Sequence, residues 1–259
     1  MARIFLLLAF LCSFSAHAKT IVVADIDDTL KIAHVGSKGD ATRRAFRTDL
    51  HFSGMSELFA LLDRSGDVDF YYVSNAPKQL MGTPHRKFLK EWNFPEGGLY
   101  LNNNYFGGNH KEETIGEILE EAKADVVIFL GDNSEQDAAI YDSLVKKYPS
   151  SRAYQFIRMP YTSSKNERFD PVLAGQVPFV TPMEILLTLA AGGEISALEA
   201  DAHAQELQAA VVAAGDVDMG PGFFPSWMNC QDFRWDPMAF NPALTAYNEK
   251  ITKRCGLNQ

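Results

Sequence analysis

The most constraining stretch of this 259-residue chain is a short apolar run that ends in three carboxylates. Residues 21–24 read IVVA, and Asp25, Asp27 and Asp28 follow at once. A run of four apolar residues is typical of a strand buried on both faces of a parallel sheet. Carboxylates crowded at the end of such a strand repel one another and are costly to desolvate. We therefore expect this strand end to bind a cation or to carry out a reaction.

Strand and helix patterns alternate along the next 130 residues. Apolar runs predict strands at residues 69–73, 99–101, 125–130 and 153–157. Apolar spacing predicts helices at residues 55–62, 84–92, 111–123 and 134–147. Pro84 would lie in the first turn of its helix, and Ser134 would cap another helix. The alternation predicts an α/β fold, a three-layer sandwich with a central parallel sheet.

Polar residues follow three of the predicted strands. Asp25, Ser74 and Asp132 each come at a strand end, so we expect them at the carboxyl edge of the sheet, where sites form in such folds. Residues 31–50 are polar and predict a loop or small flap. Only about 40 residues separate Thr29 from the second strand, which leaves little or no room for a cap domain over this edge.

Residues 1–18 have the pattern of a secretory signal peptide. Arg3 is their single charged residue, residues 4–14 are largely apolar, and Ala16-His17-Ala18 has the form of a cleavage site. We expect the remaining chain to be exported, to a periplasm or to the medium. No other apolar run is long enough to cross a bilayer. The 23 basic and 33 acidic residues after position 18 give a net charge near −10, which argues against a nucleic-acid partner.

The last hundred residues differ in character from the rest. Helical patterns rich in Ala and Leu occupy residues 182–191 and 197–214, and an aromatic-rich, irregular stretch follows. We expect a catalytic domain at residues 19–161 and a helical extension at residues 162–259. Cys230 and Cys255 form an even pair, which in an exported protein predicts one disulfide, whereas a metal site would need more ligands.

Four motifs occur in a fixed order at the predicted strand and helix ends. They are Asp25-x-Asp27-x-Thr29, Ser74 with Asn75, Lys111 at a helix start, and Gly131-Asp132 followed by Asp137. The set resembles the four motifs of the haloacid dehalogenase (HAD) superfamily of phosphotransferases. Each motif is weak alone, but four in the right order and at the right junctions are a specific signal.

The resemblance implies a magnesium-dependent mechanism. Mg²⁺ would be held by the carboxylates of Asp25 and Asp132 and by the backbone carbonyl of Asp27, since it takes oxygen ligands. Asp25 would be the nucleophile and would form an aspartyl-phosphate. Asp27 would protonate the leaving oxygen and later activate water.

The remaining motif residues would position the phosphate and the metal. Ser74, Asn75 and Thr29 would bind substrate, and Lys111 would act on the phosphate oxygens as a point charge. Asp137 would orient Lys111 or the waters around the metal without binding the ion itself.

Simpler interpretations exist for each residue alone. A calcium loop that starts at Asp25 needs Gly and Glu at its sixth and twelfth positions, where this chain has Leu30 and Gly36. Asp28 is expected to be structural. His34 and His110 lie near the motifs in sequence, and both are expected to be exposed loop histidines.

A narrower resemblance covers residues 19–161. The stretches VVADIDDTLK, FYYVSNAPKQL, FPEGGLYL, IFLGDNSEQDAAIY and YPSSRAYQFIR resemble the catalytic domain of the actin-patch-associated phosphatidate phosphatases, which has a bacterial branch. It implies release of phosphate from phosphatidate or related lipid phosphates, with transient membrane contact. An uncapped site can equally take a soluble or protein phosphomonoester.

Two other kinds of function stay open. The chain can be a binding module that keeps the fold and binds metal or phosphate without turnover. It can also be an interaction protein in which residues 162–259 contact a partner and the phosphatase domain is a scaffold.

Overall fold

The computed structural model describes residues 18–103 and 109–257. A six-stranded sheet lies at its centre, and every neighbouring pair of strands is parallel. The strands are β1 Thr20–Ala24, β2 Val68–Pro77, β3 Gly97–Asn102, β4 Val126–Asp132, β5 Arg152–Arg158 and β6 Val177–Phe179. A parallel sheet flanked by helices confirms the predicted fold class.

Helices connect the strands and cover the sheet. They are α1 Lys38–Arg44, α2 Met55–Ser65, α3 Lys78–Glu91, α4 His110–Ala122, α5 Asp137–Lys147, α6 Pro182–Gly192, α7 Ala197–Ala213 and α8 Thr245–Cys255. A small pair of strands, β7 Asp216–Val217 and β8 Phe224–Pro225, lies in the C-terminal part. Within the described ranges, no helix is both long enough and apolar enough to span a membrane.

The order of the sheet, β3-β2-β1-β4-β5-β6, puts β1 in the middle. All five residues of β1 are buried, because neighbours cover both of its edges and helices cover both faces. The chain winds one way from β1 to β3 and the other way from β4 to β6, so the direction changes between β1 and β4. A crevice opens at such a change, outside the carboxyl ends of the strands.

Two helix starts differ from the sequence prediction. α3 begins at Lys78, so Pro84 lies inside the helix rather than in its first turn. Met81, His85 and Phe88 form a buried stripe at helical spacing. Burial of this stripe stabilises the helix on both sides of Pro84. α5 begins at Asp137, and Ser134 does not cap it, because the Ser134 side chain contacts Asp132 instead.

Residues beyond 161 complete the sheet. β6 pairs with β5, and the buried Phe179 at its end continues the core. Cys230 and Cys255 form the disulfide that the sequence predicts, closing a loop that joins α8 to the irregular segment. The division at residue 161 stays a prediction. The signal peptide predicted at residues 1–18, apart from Ala18, lies outside the described residues, as do residues 104–108.

Candidate active site

Asp25 and Lys111 meet at the carboxyl end of β1. Asp25 directly follows β1, its backbone N–H donates to Leu130 of β4, and its side chain is buried. Lys111 lies in the first turn of α4, also buried, and its Nζ donates to Asp25 Oδ1 at 2.9 Å. The same Nζ lies 2.5 Å from Asp137 Oδ1. Lys111 therefore bridges the end of β1 and the start of α5.

Asp132 completes a cluster of three carboxylates with Asp25 and Asp137. Oxygen atoms from the three side chains all lie within 4.8 Å of one another, and all three are buried. Ser134 N–H donates to Asp132 Oδ1 at 2.6 Å, and Asp137 Oδ2 accepts from the backbone N–H of Asp132 at 3.3 Å. Thr29 Oγ1 donates to Asp25 Oδ2 at 3.1 Å and lies 3.5 Å from Asp132 Oδ2. The cluster thus connects the ends of β1 and β4.

The charges in this cluster do not balance. Burial raises the pKa of Asp25 well above its ordinary value, in spite of Lys111. Burial, together with the charges of Asp137 and Asp25, raises the pKa of Asp132 in the same way. Burial by itself would lower the pKa of Lys111. The charges of Asp137 and Asp25 outweigh burial, so the pKa of Lys111 is raised well above its ordinary value. Three buried carboxylates against one lysine form a set of hard oxygen donors that favours a cation.

Asp27 has a different environment from the other acids. Its Oδ1 lies 3.3 Å from Lys31 Nζ, and its Oδ2 lies 3.2 Å from Nε2 of the buried His85 in α3. Burial alone would raise the pKa of Asp27, but His85 and Lys31 outweigh burial and hold it below the usual range. Asp27 is therefore ionised at neutral pH in the free protein.

Sequence reasoning missed both partners of Asp27. Lys31 is four residues from Asp27, and this spacing is a usable signal. His85 lies on the buried stripe of α3, 58 positions away, and nothing in the local sequence connects it to the site.

The predicted substrate-binding residues on β2 lie at the same edge as the acids. Ser74 is buried, and its Oγ accepts from the backbone N–H of Ala76 at 3.1 Å. Asn75 Nδ2 donates to Glu135 Oε2 at 3.0 Å, so its amide is bound to the exposed loop before α5. Glu135 is a further acid at this edge that the sequence analysis did not select.

Asp28 is structural, as expected. Its side chain is buried, its φ is +60°, and its carboxylate accepts from the backbone N–H groups of Ala33, His34 and Val35 at 2.7–2.9 Å. Tyr161 OH donates to the same carboxylate at 2.7 Å. The expectation that His34 is an exposed loop histidine is wrong, because its ring stacks on Trp227 with centroids 4.0 Å apart.

Arg158, at the end of β5, binds the backbone of the loop after β1, which carries Asp27 and Thr29. It is fully buried, and its guanidinium donates to the carbonyls of Thr29 and Val180 at 2.9 Å each. The guanidinium carbon lies 3.8 Å from the centroid of the Phe52 ring and 4.5 Å from the centroid of the Phe179 ring. Burial lowers the pKa of Arg158 to about 9, so it stays charged at neutral pH. Its position at a strand end is the signal that could have identified it.

Residues 20–159 match the family model described as the catalytic domain of phosphatidate phosphatase APP1, which is more than half of the chain. The chain belongs to this family. All the acidic residues described above lie inside the APP1 catalytic domain, and so do the buried basic residues Lys31, His85, Lys111 and Arg158. β6, α6, α7 and α8 lie outside it.

Two fungal proteins are similar in sequence to about half of this chain. Phosphatidate phosphatase APP1 of Saccharomyces cerevisiae is 31% identical over 155 residues, which are 53% of this chain and 25% of the yeast protein. An uncharacterized protein of Schizosaccharomyces pombe is 28% identical over 156 residues, 53% of this chain and 24% of that protein. The chain thus spans about a quarter of the length of these relatives.

Two solved structures align with about half of the chain. A class C acid phosphatase from Bacillus anthracis with tungstate bound has a TM-score of 0.39 at 15% identity, covering 54% of this chain and 66% of that one. A Pnkp1/Rnl/Hen1 complex has a TM-score of 0.40 at 15% identity, covering 54% of this chain and 46% of the other.

Proposed function

We propose that this protein hydrolyses phosphomonoesters through a covalent intermediate on Asp25. The observation that carries the proposal is the grouping of Asp25, Lys111, Asp132 and Asp137 at the crevice between β1 and β4. A phosphomonoester is dianionic, so an anionic nucleophile needs positive charge around the phosphoryl group. Lys111 supplies one such charge at 2.9 Å from Asp25. Membership of the APP1 catalytic domain family supports this activity.

Further positive charge would come from Mg²⁺. The Asp25 and Asp132 carboxylates and the backbone carbonyl of Asp27 would hold the ion, and these oxygens are the donors that Mg²⁺ prefers. When bound, the ion supplies positive charge that offsets the negative charge of the phosphoryl oxygens during transfer. Asp137 stays bound to Lys111 and to the backbone of Asp132, and so keeps both in place.

Two displacements at phosphorus follow from this arrangement. In the first, a carboxylate oxygen of Asp25 attacks phosphorus, the bond from phosphorus to the leaving oxygen breaks, and that oxygen takes a proton from Asp27. In the second, water attacks the aspartyl-phosphate, Asp27 takes a proton from the water, and the carboxylate of Asp25 is released with inorganic phosphate. The proton on Asp27 and the free Asp25 are both restored.

Asp27 changes protonation state between these steps. In the free protein His85 and Lys31 keep it ionised, which is the form that accepts a proton from water. A phosphate group beside it adds negative charge, and like charges raise the pKa of a carboxyl group. Substrate binding therefore favours the protonated form that the first displacement needs.

Lipid phosphates are the substrates that we propose. The yeast relative is a phosphatidate phosphatase. The segment between Asp28 and α2 holds the short helix α1 and the loops around it, which is too small to be a cap domain and leaves the site open to a bulky substrate. Soluble and protein phosphomonoesters are the alternative. Export through the signal peptide at residues 1–18 is part of the proposal.

A single substitution tests the nucleophile. Asp25→Asn should lower kcat on p-nitrophenyl phosphate by at least about a thousandfold, because the amide is not nucleophilic. Asp201→Asn is the control, since Asp201 is exposed on α7. The measurement is phosphate release with Mg²⁺ and after chelation. Full activity of the Asp25→Asn protein would contradict the mechanism, and an inactive wild-type protein that still binds phosphate would support the binding-module alternative.

The same assay decides the substrate class. Phosphate release from phosphatidate in mixed micelles is compared with release from glycerol phosphate, a nucleotide and a phosphopeptide. We expect the largest kcat/KM for phosphatidate. A larger value for any soluble ester would contradict the lipid assignment and leave the hydrolase assignment intact.

A further inference from the structure

A groove of about 330 Å³ runs from Asp27 along the outside of the site. One wall is the flap, with Ala45 and Phe46, and the other is the start of α3, with Pro77, Leu80 and Met81. Among the described residues that line it, only Asp27 and Thr42 have polar side chains. The groove is therefore an apolar channel that begins at a residue of the candidate active site.

Two large apolar side chains lie exposed at this groove. Phe46 is 63% exposed and Leu80 is 51% exposed. Scattered exposed apolar residues are ordinary, but here two line a groove that is already apolar, and such patches mark binding sites. A ligand with an apolar part would remove both side chains from water.

Lys31 ties the flap wall of the groove to Asp27. Its Nζ donates to the carbonyl of Ala45 at 2.6 Å and lies 3.3 Å from Asp27 Oδ1. Ala45 directly precedes Phe46, so the buried Lys31 holds the backbone next to Phe46 close to the acid. The groove and the proton-transfer residue thus form one unit.

The chemistry of the proposed reaction says which part of a substrate meets this groove. A general acid must lie within hydrogen-bond reach of the leaving oxygen. The group attached to that oxygen therefore starts beside Asp27 and continues where there is room for it. We propose that the groove binds the apolar chain of the leaving group, an acyl or alkyl chain, and that Phe46 and Leu80 determine this specificity.

This inference rests on the proposed function and narrows its substrate. A sugar or a nucleotide would bring many polar groups into the groove, and each would lose its hydrogen bonds to water with few partners in return. A hydrocarbon chain has no hydrogen bonds to water to lose, and its removal from water favours binding.

A series of n-alkyl phosphates, from ethyl to octyl, tests the inference without micelles. Each fully buried methylene is worth about 0.8 kcal/mol, which is about fourfold in kcat/KM. We expect the ratio of kcat/KM for octyl to ethyl phosphate to be at least about tenfold in the wild-type protein. Leu80→Ser and Phe46→Ser should each reduce this ratio by at least about threefold, since each removes apolar contact with the chain.

Leu198→Ser is the matched control. Leu198 is 82% exposed and, like Leu80, lies in the first turn of a helix, but it is on α7 and does not line the groove. All three substitutions are neutral, so the charge around Asp27 does not change. The control should keep the wild-type ratio of octyl to ethyl phosphate.

A binding measurement separates this inference from the proposed function. Calorimetry with the Asp25→Asn protein should give tighter binding of octyl than of ethyl phosphate, and Leu80→Ser in that background should remove most of the difference. Hydrolysis with equal kcat/KM for all chain lengths would overturn the groove and keep the hydrolase. Chain-length-dependent binding without any hydrolysis would support the groove and contradict the proposed hydrolase activity. If the wild-type protein forms a dimer that Leu80→Ser dissociates and shows no chain-length effect, the groove is a contact between copies and the inference is wrong.

Discussion

Asp27 and Asp28 are adjacent in the chain, yet their side chains have different surroundings. Asp27 lies between two basic side chains, Lys31 and His85, and these hold its pKa below the usual range against the effect of burial. Asp28 accepts three backbone N–H groups and the Tyr161 hydroxyl. The first arrangement is the basis of the proton transfer that we propose for Asp27, and the second fixes the loop that leads into the flap.

Replacing Asp28 tests its structural role. Asp28→Ala should lower the free energy of unfolding by about 2–4 kcal/mol, since it leaves buried N–H groups without acceptors and puts a residue with no local hydrogen bond at positive φ. Asp28→Asn should cost less, because Asn adopts positive φ and keeps an acceptor oxygen. Urea denaturation measures both.

Tyr161→Phe is the control for the Asp28 variants. It removes one of the four hydrogen bonds to Asp28 and the one that Tyr161 OH accepts from the backbone N–H of Gly36, and it should cost about 1–2 kcal/mol. A loss for Asp28→Ala no larger than that for Tyr161→Phe would contradict the structural role.

The start of α6 is a buried capping box, and it makes stability depend on pH. Thr181 and Glu184 satisfy each other's backbone N–H groups, and Tyr247 OH donates to Glu184 Oε1 at 2.6 Å. Glu184 is fully buried, and burial raises its pKa to about 7 in spite of these hydrogen bonds. A helix cap that is ordinarily at the surface is here part of the core.

The folded protein binds the Glu184 proton more tightly than the unfolded chain does. The contribution of Glu184 to stability is therefore complete below about pH 4 and is lost as the pH rises through about 7. Relative to Glu184→Gln, the wild-type free energy of unfolding should fall by about 2–3 kcal/mol between pH 4.5 and 7.5. Urea denaturation across this range gives the difference.

Glu199→Gln is the matched control, because Glu199 occupies the same cap position in the exposed start of α7. This variant should keep the pH profile of the wild-type protein. Parallel pH profiles for the wild-type and Glu184→Gln proteins would refute the assignment.

In the whole molecule, the segments after residue 161 are packed into the structure of the site. β6 covers β5, Val180 accepts from the guanidinium of Arg158, and Tyr247 of α8 reaches the cap of α6. Arg158 in turn supports Thr29 between the two acids. The motif residues of the site therefore depend on residues outside the matched family domain.

A chain that ends at residue 161 should not fold cooperatively. Truncation exposes one edge of β5 and leaves the buried Arg158 without one of its acceptors. Calorimetry and size-exclusion chromatography should show no cooperative transition and a tendency to aggregate. A soluble, active fragment 19–161 would contradict this expectation and support an independent catalytic domain.

The variant that carries both Cys230→Ser and Cys255→Ser is the control for the truncation. It removes the disulfide but keeps the packing around β6, so it should remain folded and lose about 3 kcal/mol.

Local patterns predict the elements of this fold well where burial and periodicity agree. The apolar residues of β1, β4 and β5 and the amphipathic spacing of α2 and α4 identify those elements within a few residues. The helix in the flap, the edge strand β6 and α8 were missed, because they are short or polar and their positions come from contacts with distant segments. The predicted start of α3 is wrong for the same reason, because contacts with distant segments extend the helix to Lys78.

The motif residues, like the regular elements, are predicted from local sequence, whereas their partners depend on contacts between distant segments. The order of residues along the chain is enough to propose Asp25, Lys111, Asp132 and Asp137 as one cluster, since the carboxyl ends of parallel strands share an edge. The order of the strands and the pairing of Asp27 with His85 depend on long-range packing. So does the groove between the flap and α3. Chemistry at a strand end is local and can be read from residue types, whereas the charge and shape around it come from segments that meet only in the folded chain.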